Sequence, residues 1–129
     1  MKPEMLYLTL VSLLAAVQWL IYGTNLLTTH GITAAVGNRD KPLPLAPWAE
    51  RAKRAHANMV ENLVVFAPAV LVALAAGKES GVTAAAAMVF FWARLLYAIV
   101  YTIGIVWVRT LLWVVGWICI LAIIWQILA

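Results

Sequence analysis

Four apolar runs, each about as long as a lipid bilayer is thick, decide what this chain can fold into. They cover residues 5–27, 47–76, 82–102 and 109–128. A hydrocarbon core of about 30 Å is crossed by about 20 helical residues. Lipid offers no hydrogen-bond partner to the backbone, so segments of this length cross it as helices that satisfy their own peptide groups. The expected fold is an all-α integral membrane protein, a four-transmembrane-helix antiparallel bundle forming one domain over residues 1–129. Composition agrees: 66% of the residues are hydrophobic, against about half in a soluble domain. The first run exceeds the roughly 7 to 15 apolar residues of a signal peptide and reads as a retained span in an inner or plasma membrane.

The segments between the runs set topology. Residues 28–46 are polar and hold Gly31, Gly37, Pro42 and Pro44, the composition of a loop. Pro47 suits the first turn of a helix, where its missing N–H costs nothing. The second helix is longer than the bilayer is thick, so its start projects with Arg51, Lys53 and Arg54, and Pro68 is expected to kink it. The short turn from Gly77 to Gly81 makes the second and third spans antiparallel neighbours. Of the nine basic residues, Arg39, Lys41, Arg51, Lys53, Arg54 and Arg109 fall on one side and Lys2 and Lys78 on the other. The first set is expected to face the cytoplasm, with both termini on the opposite side.

Charge enters the spans at two places. At about 100° per residue, Arg51, Arg54, Asn58, Glu61 and Asn62 share an arc of roughly 100° on the second helix. Arg94, Tyr97 and Tyr101 lie at i, i+3 and i+7 on the third. An ionised side chain at mid-bilayer costs about 2.5 to 3.5 kcal/mol on insertion scales, so such residues face a partner or a wet cavity. The simplest partnership is an ion pair between Glu61 and Arg94, in one subunit or across a seam between subunits. With Arg109 opening the fourth helix, these groups converge near one membrane face. Guanidinium groups, a carboxylate, an amide and phenols together suit a small, multiply charged anion bearing an amine, beside a lipid-facing gap for an apolar co-substrate. Trp107, Trp113 and Trp117 read as interfacial anchors or lipid-facing residues.

Several chemistries drop out. The net charge of +4 is spread over several loops and makes no nucleic-acid stripe. Cys119 is the one cysteine, and His30 and His56 have no Cys, Asp or Glu at ligand spacing, so no metal site is expected. His56 points about 120° away from the charged stripe, toward headgroups or a neighbouring helix. No Ser-His-Asp or Cys-His arrangement offers a protein nucleophile.

The run Glu50-Arg51-x-x-Arg54-Ala55-His56-x-Asn58-x-x-Glu61, followed by Arg94-x-x-Tyr97-x-x-x-Tyr101 and Arg109, resembles the MAPEG family, the membrane-associated proteins in eicosanoid and glutathione metabolism, and in particular a bacterial-type member similar to microsomal glutathione transferase. The resemblance covers nearly the whole chain. It implies a homotrimer of four-helix bundles that binds glutathione, as co-substrate, between adjacent subunits. By position, Arg54, Asn58 and Glu61 would hold the tripeptide, with Arg51 and Tyr97 beside them; Arg94 would order its carboxylates, Tyr101 would line the site, and Arg109 would stabilise the thiolate as the catalytic residue. Family members that make prostaglandin E carry His at the position of Tyr97, Ser at Thr110 and Tyr at Trp113, and many carry an arginine where this chain has Thr28, Thr29 and His30. The resemblance therefore implies conjugation of glutathione to lipophilic electrophiles, or reduction of lipid hydroperoxides, and not eicosanoid synthesis. Two other readings use the same residues: a non-catalytic lipid-binding or scaffolding member of the fold, and a small exporter with Glu61 as a proton-coupled carboxylate. The cations around Glu61 would repel the cationic cargo of such exporters.

Overall fold

The computed structural model describes residues 1–129 as five helices and no strands. Helix α1 spans Pro3–Val17, α2 Trp19–Val36, α3 Pro47–Ala75, α4 Gly81–Ile103 and α5 Val106–Leu128. By length and hydropathy α1 and α2 together, α3, α4 and α5 each suffice to cross a membrane, which gives four spans. The protein is an integral membrane protein.

The first span differs from its sequence expectation at its end. Helix was expected to stop at residue 27 and a loop to occupy 28–46, yet α2 continues through His30 and resumes for a short turn beyond Gly31, ending at Val36. The threonines here do not break the helix because their hydroxyls bond to it: Thr24 Oγ1 donates to Ile21 O and Thr28 Oγ1 to Thr24 O, at 2.8 and 2.9 Å. The interruption comes where glycine permits it, at Gly31 with φ 83°.

The joint between α1 and α2 lies at Gln18. Its N–H bonds to Leu14 O, while its own carbonyl accepts from Ile21, one residue early. His56 of α3 reaches this joint, with Nε2 2.8 Å from Ala15 O and Nδ1 2.7 Å from the Tyr22 hydroxyl. A carbonyl only accepts, so Nε2 carries the proton and Tyr22 donates to Nδ1. As expected from its angular position, His56 serves a neighbouring helix.

Helix α3 starts on Pro47 and has 29 residues, about 43 Å at 1.5 Å each, with Pro68 inside it. Helix α4 is closed at both ends. Ser80 and Thr83 form a reciprocal capping box at its start, and Gly104, in the left-handed region at φ 92°, ends it. The core is assembled from small residues that let backbones approach, Ala69, Ala73, Ala86 and Ala87 among them, around a stacked pair, Phe66 and Phe90, with ring centroids 3.9 Å apart.

At one end of the bundle Lys2 pairs with Glu79, Thr83 Oγ1 donates to the buried carboxylate of Glu4 at 2.6 Å, and Ser80 meets Gln126 at 3.2 Å. Both termini therefore lie at the end that holds the α3–α4 turn. The other end carries Arg51, Arg54 and Arg109.

Candidate functional site

Arg94 is the largest fully buried side chain, 1% exposed. Helix α4 carries it into the bundle, where its stem packs on Gly116 of α5 and its guanidinium lies 4.0 Å above the Tyr97 ring. One Nη2–H donates to Asn58 Oδ1 of α3 at 2.8 Å. Asn62 braces that amide from one turn on, its Nδ2 donating to Asn58 O at 2.8 Å and to Asn58 Oδ1 at 3.1 Å. The Nε and Nη1 donors of Arg94 are buried and have no partner. Buried donors are almost always satisfied in folded proteins, so two on one guanidinium mark a place where an acceptor belongs.

The expected ion pair between Glu61 and Arg94 does not form within the chain, whose one ion pair joins Lys2 to Glu79. The reason is angular. Glu61 sits about 60° around α3 from Asn58 and Asn62 about 40° to the other side. Asn58 faces α4 and meets the guanidinium first, while Glu61 is exposed on the wall of a groove between α3 and α5.

Toward the arginine-rich end a second cluster forms around Tyr101, in the last turn of α4. Arg109, in the first turns of α5, stands 4.4 Å above the Tyr101 ring, and Arg54 Nε approaches the phenol oxygen at 3.3 Å. Tyr97 and Tyr101 meet edge to face at 5.6 Å. Arg94, Tyr97, Tyr101 and Arg109 thus form a continuous ladder, with a cation at each end and two aromatic rings between them. The left-handed Gly104 makes this geometry, since it turns the chain within two residues and returns Arg109 to the ring it has just passed. Arg51 secures that turn: its Nε donates to Thr102 O at 3.0 Å and its guanidinium covers Gly104.

Two adjoining cavities flank the ladder. One, of about 270 Å³, is lined by Tyr97, Tyr101, Arg109, Thr110 and Trp113. The other, of about 350 Å³, runs from Asn58, Glu61 and Asn62 past Trp113 and Trp117 to the apolar side chains Val65, Ile120 and Leu121. Trp113 is common to both. Asn58, Glu61, Tyr97, Tyr101 and Arg109 thereby line one cleft, while Arg54 touches it through the Tyr101 phenol, Arg94 lies buried behind Asn58 and Tyr97, and Arg51 sits at its end on the α4–α5 turn. Trp113 and Trp117, 37% and 47% exposed as expected of lipid-facing residues, also wall the cleft and stack on each other at 6.3 Å, while Trp107, 81% exposed, fits the anchor role. The signal was present: Arg109, Trp113 and Trp117 fall at i, i+4 and i+8, one stripe of α5.

Chemically, the cleft offers cations and an amide at one end, a carboxylate on its flank and an apolar floor open toward lipid. The model of the MAPEG family matches residues 5–129, essentially the whole chain. The chain belongs to the MAPEG family. Membership places it among helical membrane proteins of glutathione and eicosanoid metabolism. No curated protein and no solved structure matches this MAPEG chain.

Proposed function

We propose that this MAPEG protein is a glutathione-dependent membrane transferase that joins the sulfur of glutathione to lipophilic electrophiles and reduces lipid hydroperoxides with the same thiolate. The observation that carries the reading is Arg94, fully buried with two unpartnered donors directly behind Asn58 and Tyr97, two residues that line the cleft beside Arg109. Glutathione brings two carboxylates, an ammonium and a thiol. Arg94 and Arg54 suit the carboxylates, with Asn58 and the phenols Tyr97 and Tyr101 supplying hydrogen bonds. Glu61, unpaired in the chain, suits the ammonium. Arg51 acts from the side, by fixing the turn that carries Tyr101 and Arg109.

Arg109 is assigned the thiolate. A thiol with a pKa near 8.5 is mostly protonated at neutral pH, and each 1.4 kcal/mol of preferential attraction for the anion raises its ionised fraction about tenfold while that fraction is small. Arg109 sits in the opening turns of α5, where unpaired N–H groups add to its own charge. In conjugation the sulfur lone pair forms a C–S bond and the leaving group departs with its bonding pair. In hydroperoxide reduction the sulfur takes the outer oxygen, the O–O bond breaks and the alkoxide takes up a proton. A second glutathione thiol then displaces water from the sulfenic acid, leaving a disulfide. The apolar half of the cleft, floored by Ile120 and Leu121 and reached from lipid, suits the second substrate.

The groove between α3 and α5 is open on its outer side in a single chain, and a homotrimer would close it. The arginine-rich end faces the cytoplasm on the positive-inside rule and both termini face away from it. The decisive experiment is turnover of a chlorodinitrobenzene by the detergent-purified protein. Product formation that requires glutathione supports the reading, and its absence, with glutathione bound, would favour a non-catalytic lipid-binding or scaffolding role.

A further inference from the structure

A second polar cavity lies at the arginine-rich end, on the far side of α3 from the cleft. It has a volume of about 140 Å³ and brings together three cations, Arg39 and Lys41 from the segment between α2 and α3 and Lys53 from the second turn of α3, over Tyr22 and Leu26 of α2. No carboxylate lines it. Asp40 lies outside it, and Glu50 accepts the Leu45 N–H at 3.3 Å. Arg39 is held in place by its own backbone, which takes the left-handed conformation at φ 58° and turns the guanidinium back so that Nε and Nη2 both donate to Ala35 O, at 3.0 and 2.7 Å. Lys41 and Lys53 make no hydrogen bond or ion pair in the chain. Three converging cations without an anion repel one another, and a polyanionic oxygen group would relieve that.

A further cavity, of about 330 Å³, adjoins the cationic one by sharing Tyr22, Leu26 and Arg39, and it is walled by Trp19, Leu27 and Val36. It exists because the chain turns at Gly31 and comes back along α2 before entering α3. Val36 is 75% exposed and Trp19 49%, so this cavity opens at the surface of the first span, a helix long and apolar enough to cross a membrane. A cationic cup and an apolar trough that share a wall at the membrane boundary match a phosphate with an acyl chain attached. A soluble phosphate would use the cup and leave the trough empty. We infer that Arg39, Lys41 and Lys53 bind the headgroup phosphate of an anionic phospholipid, whose acyl chain lies in the trough beside Trp19 and Leu27. The site is separate from the cleft and does not rest on the glutathione reading.

The test is lipid binding by the detergent-purified protein, measured by native mass spectrometry with short-chain phosphatidylglycerol, phosphatidylcholine and free glycerol phosphate. Phosphatidylglycerol should bind at least tenfold more tightly than phosphatidylcholine. Each surface cation is expected to contribute about fivefold near an anionic headgroup. K41Q/K53Q should therefore lose about 25-fold for phosphatidylglycerol, and K53E more, whereas K78Q at the opposite end should change nothing. All these side chains are exposed, so folding is retained, and unchanged circular dichroism confirms it. Equal affinity for the two lipids, or an unaltered K41Q/K53Q, overturns the inference. Glycerol phosphate competing as well as the whole lipid would overturn it in favour of a soluble phosphate ligand. A change of oligomeric state in K41Q/K53Q with lipid affinity unaltered would overturn it in favour of a second copy of the chain.

Discussion

Replacing Arg94 with methionine separates the two roles a buried arginine can have. In the ligand-free protein the substitution removes one charge-assisted hydrogen bond to Asn58, worth about 1.5 to 3 kcal/mol, and a cation–π contact with Tyr97 at 4.0 Å, worth about 0.5 to 2 kcal/mol. It also relieves the burial of a charge with two unpartnered donors, a penalty of several kcal/mol. Methionine is apolar, flexible and of comparable length, so it fills the space beside Tyr97 and Gly116. The opposing terms leave a net change of about 1 kcal/mol in either direction, which for a chain of this size moves Tm by about 4 °C or less. Ligand binding should respond very differently. If the two free donors each make a charge-assisted bond to a glutathione carboxylate, their removal costs about 3 to 6 kcal/mol, or between about 10²- and 10⁴-fold in Kd. The assay is thermal unfolding in detergent across a glutathione titration. R94M should unfold near the wild-type temperature and lose the stabilisation by glutathione. A Tm lower by more than about 10 °C with the glutathione response intact would make Arg94 a structural residue and remove the main support for the site.

R109S should lower turnover of the chromogenic electrophile by one or more orders of magnitude, read as kcat in a conjugation assay, with glutathione affinity changing less because Arg54, Asn58 and Glu61 are unaltered. H56A should destabilise the protein by about 1 to 3 kcal/mol in reversible unfolding, because it strands the Ala15 carbonyl and the Tyr22 hydroxyl at the α1–α2 joint; no loss would show that water replaces the imidazole there. The Lys2–Glu79 pair gives a pH window. Lys2 holds the Glu79 carboxyl below its ordinary value of 4.5, and Glu79 raises Lys2 above 10.5. Glu79's contribution is present above about pH 4.5 and fades as pH falls through its lowered value; that of Lys2 is present below about pH 10.5 and fades as pH rises through its raised value. The Tm difference between wild type and K2Q should therefore be flat and small between those limits and shrink outside them; a difference that grows below pH 4 would assign it to another group.

Much of the fold was legible in the sequence because membrane burial acts on long, uniform segments. Four spans, the Pro47 start of α3, the tight turn before α4 and the angular placement of His56 all follow from length, hydropathy and local backbone rules. The end of the first span did not, because residues 28–46 read as a polar loop from their composition, whereas Thr28 bonds back to the helix, which continues through His30. In the site, the stripes on α3 and α4 were visible from spacing, and their meeting with Arg109 followed from antiparallel order. The pairing within the stripes was not. Whether Arg94 meets Asn58 or Glu61 depends on an angular difference of about 60° on α3 and on how α4 is rotated. Glu4 was overlooked for a similar reason, since its burial against Thr83 is made by the contact between α1 and α4 and leaves no local trace.

A thiolate held in the cleft is the centre of the proposed chemistry, and proton release on binding measures it directly. Calorimetric titration of the detergent-purified protein with glutathione at pH 7, in buffers of different ionisation heat, gives the number of protons released per site. A thiol with a pKa near 8.5 is about 3% ionised at that pH, and a charge-assisted contact worth 1.5 to 3 kcal/mol lowers its pKa to between about 7.5 and 6.5. About 0.2 to 0.7 proton per site should therefore be released with glutathione and none with S-methylglutathione, which keeps every other group. Binding of both ligands with equal affinity and no proton release would contradict it.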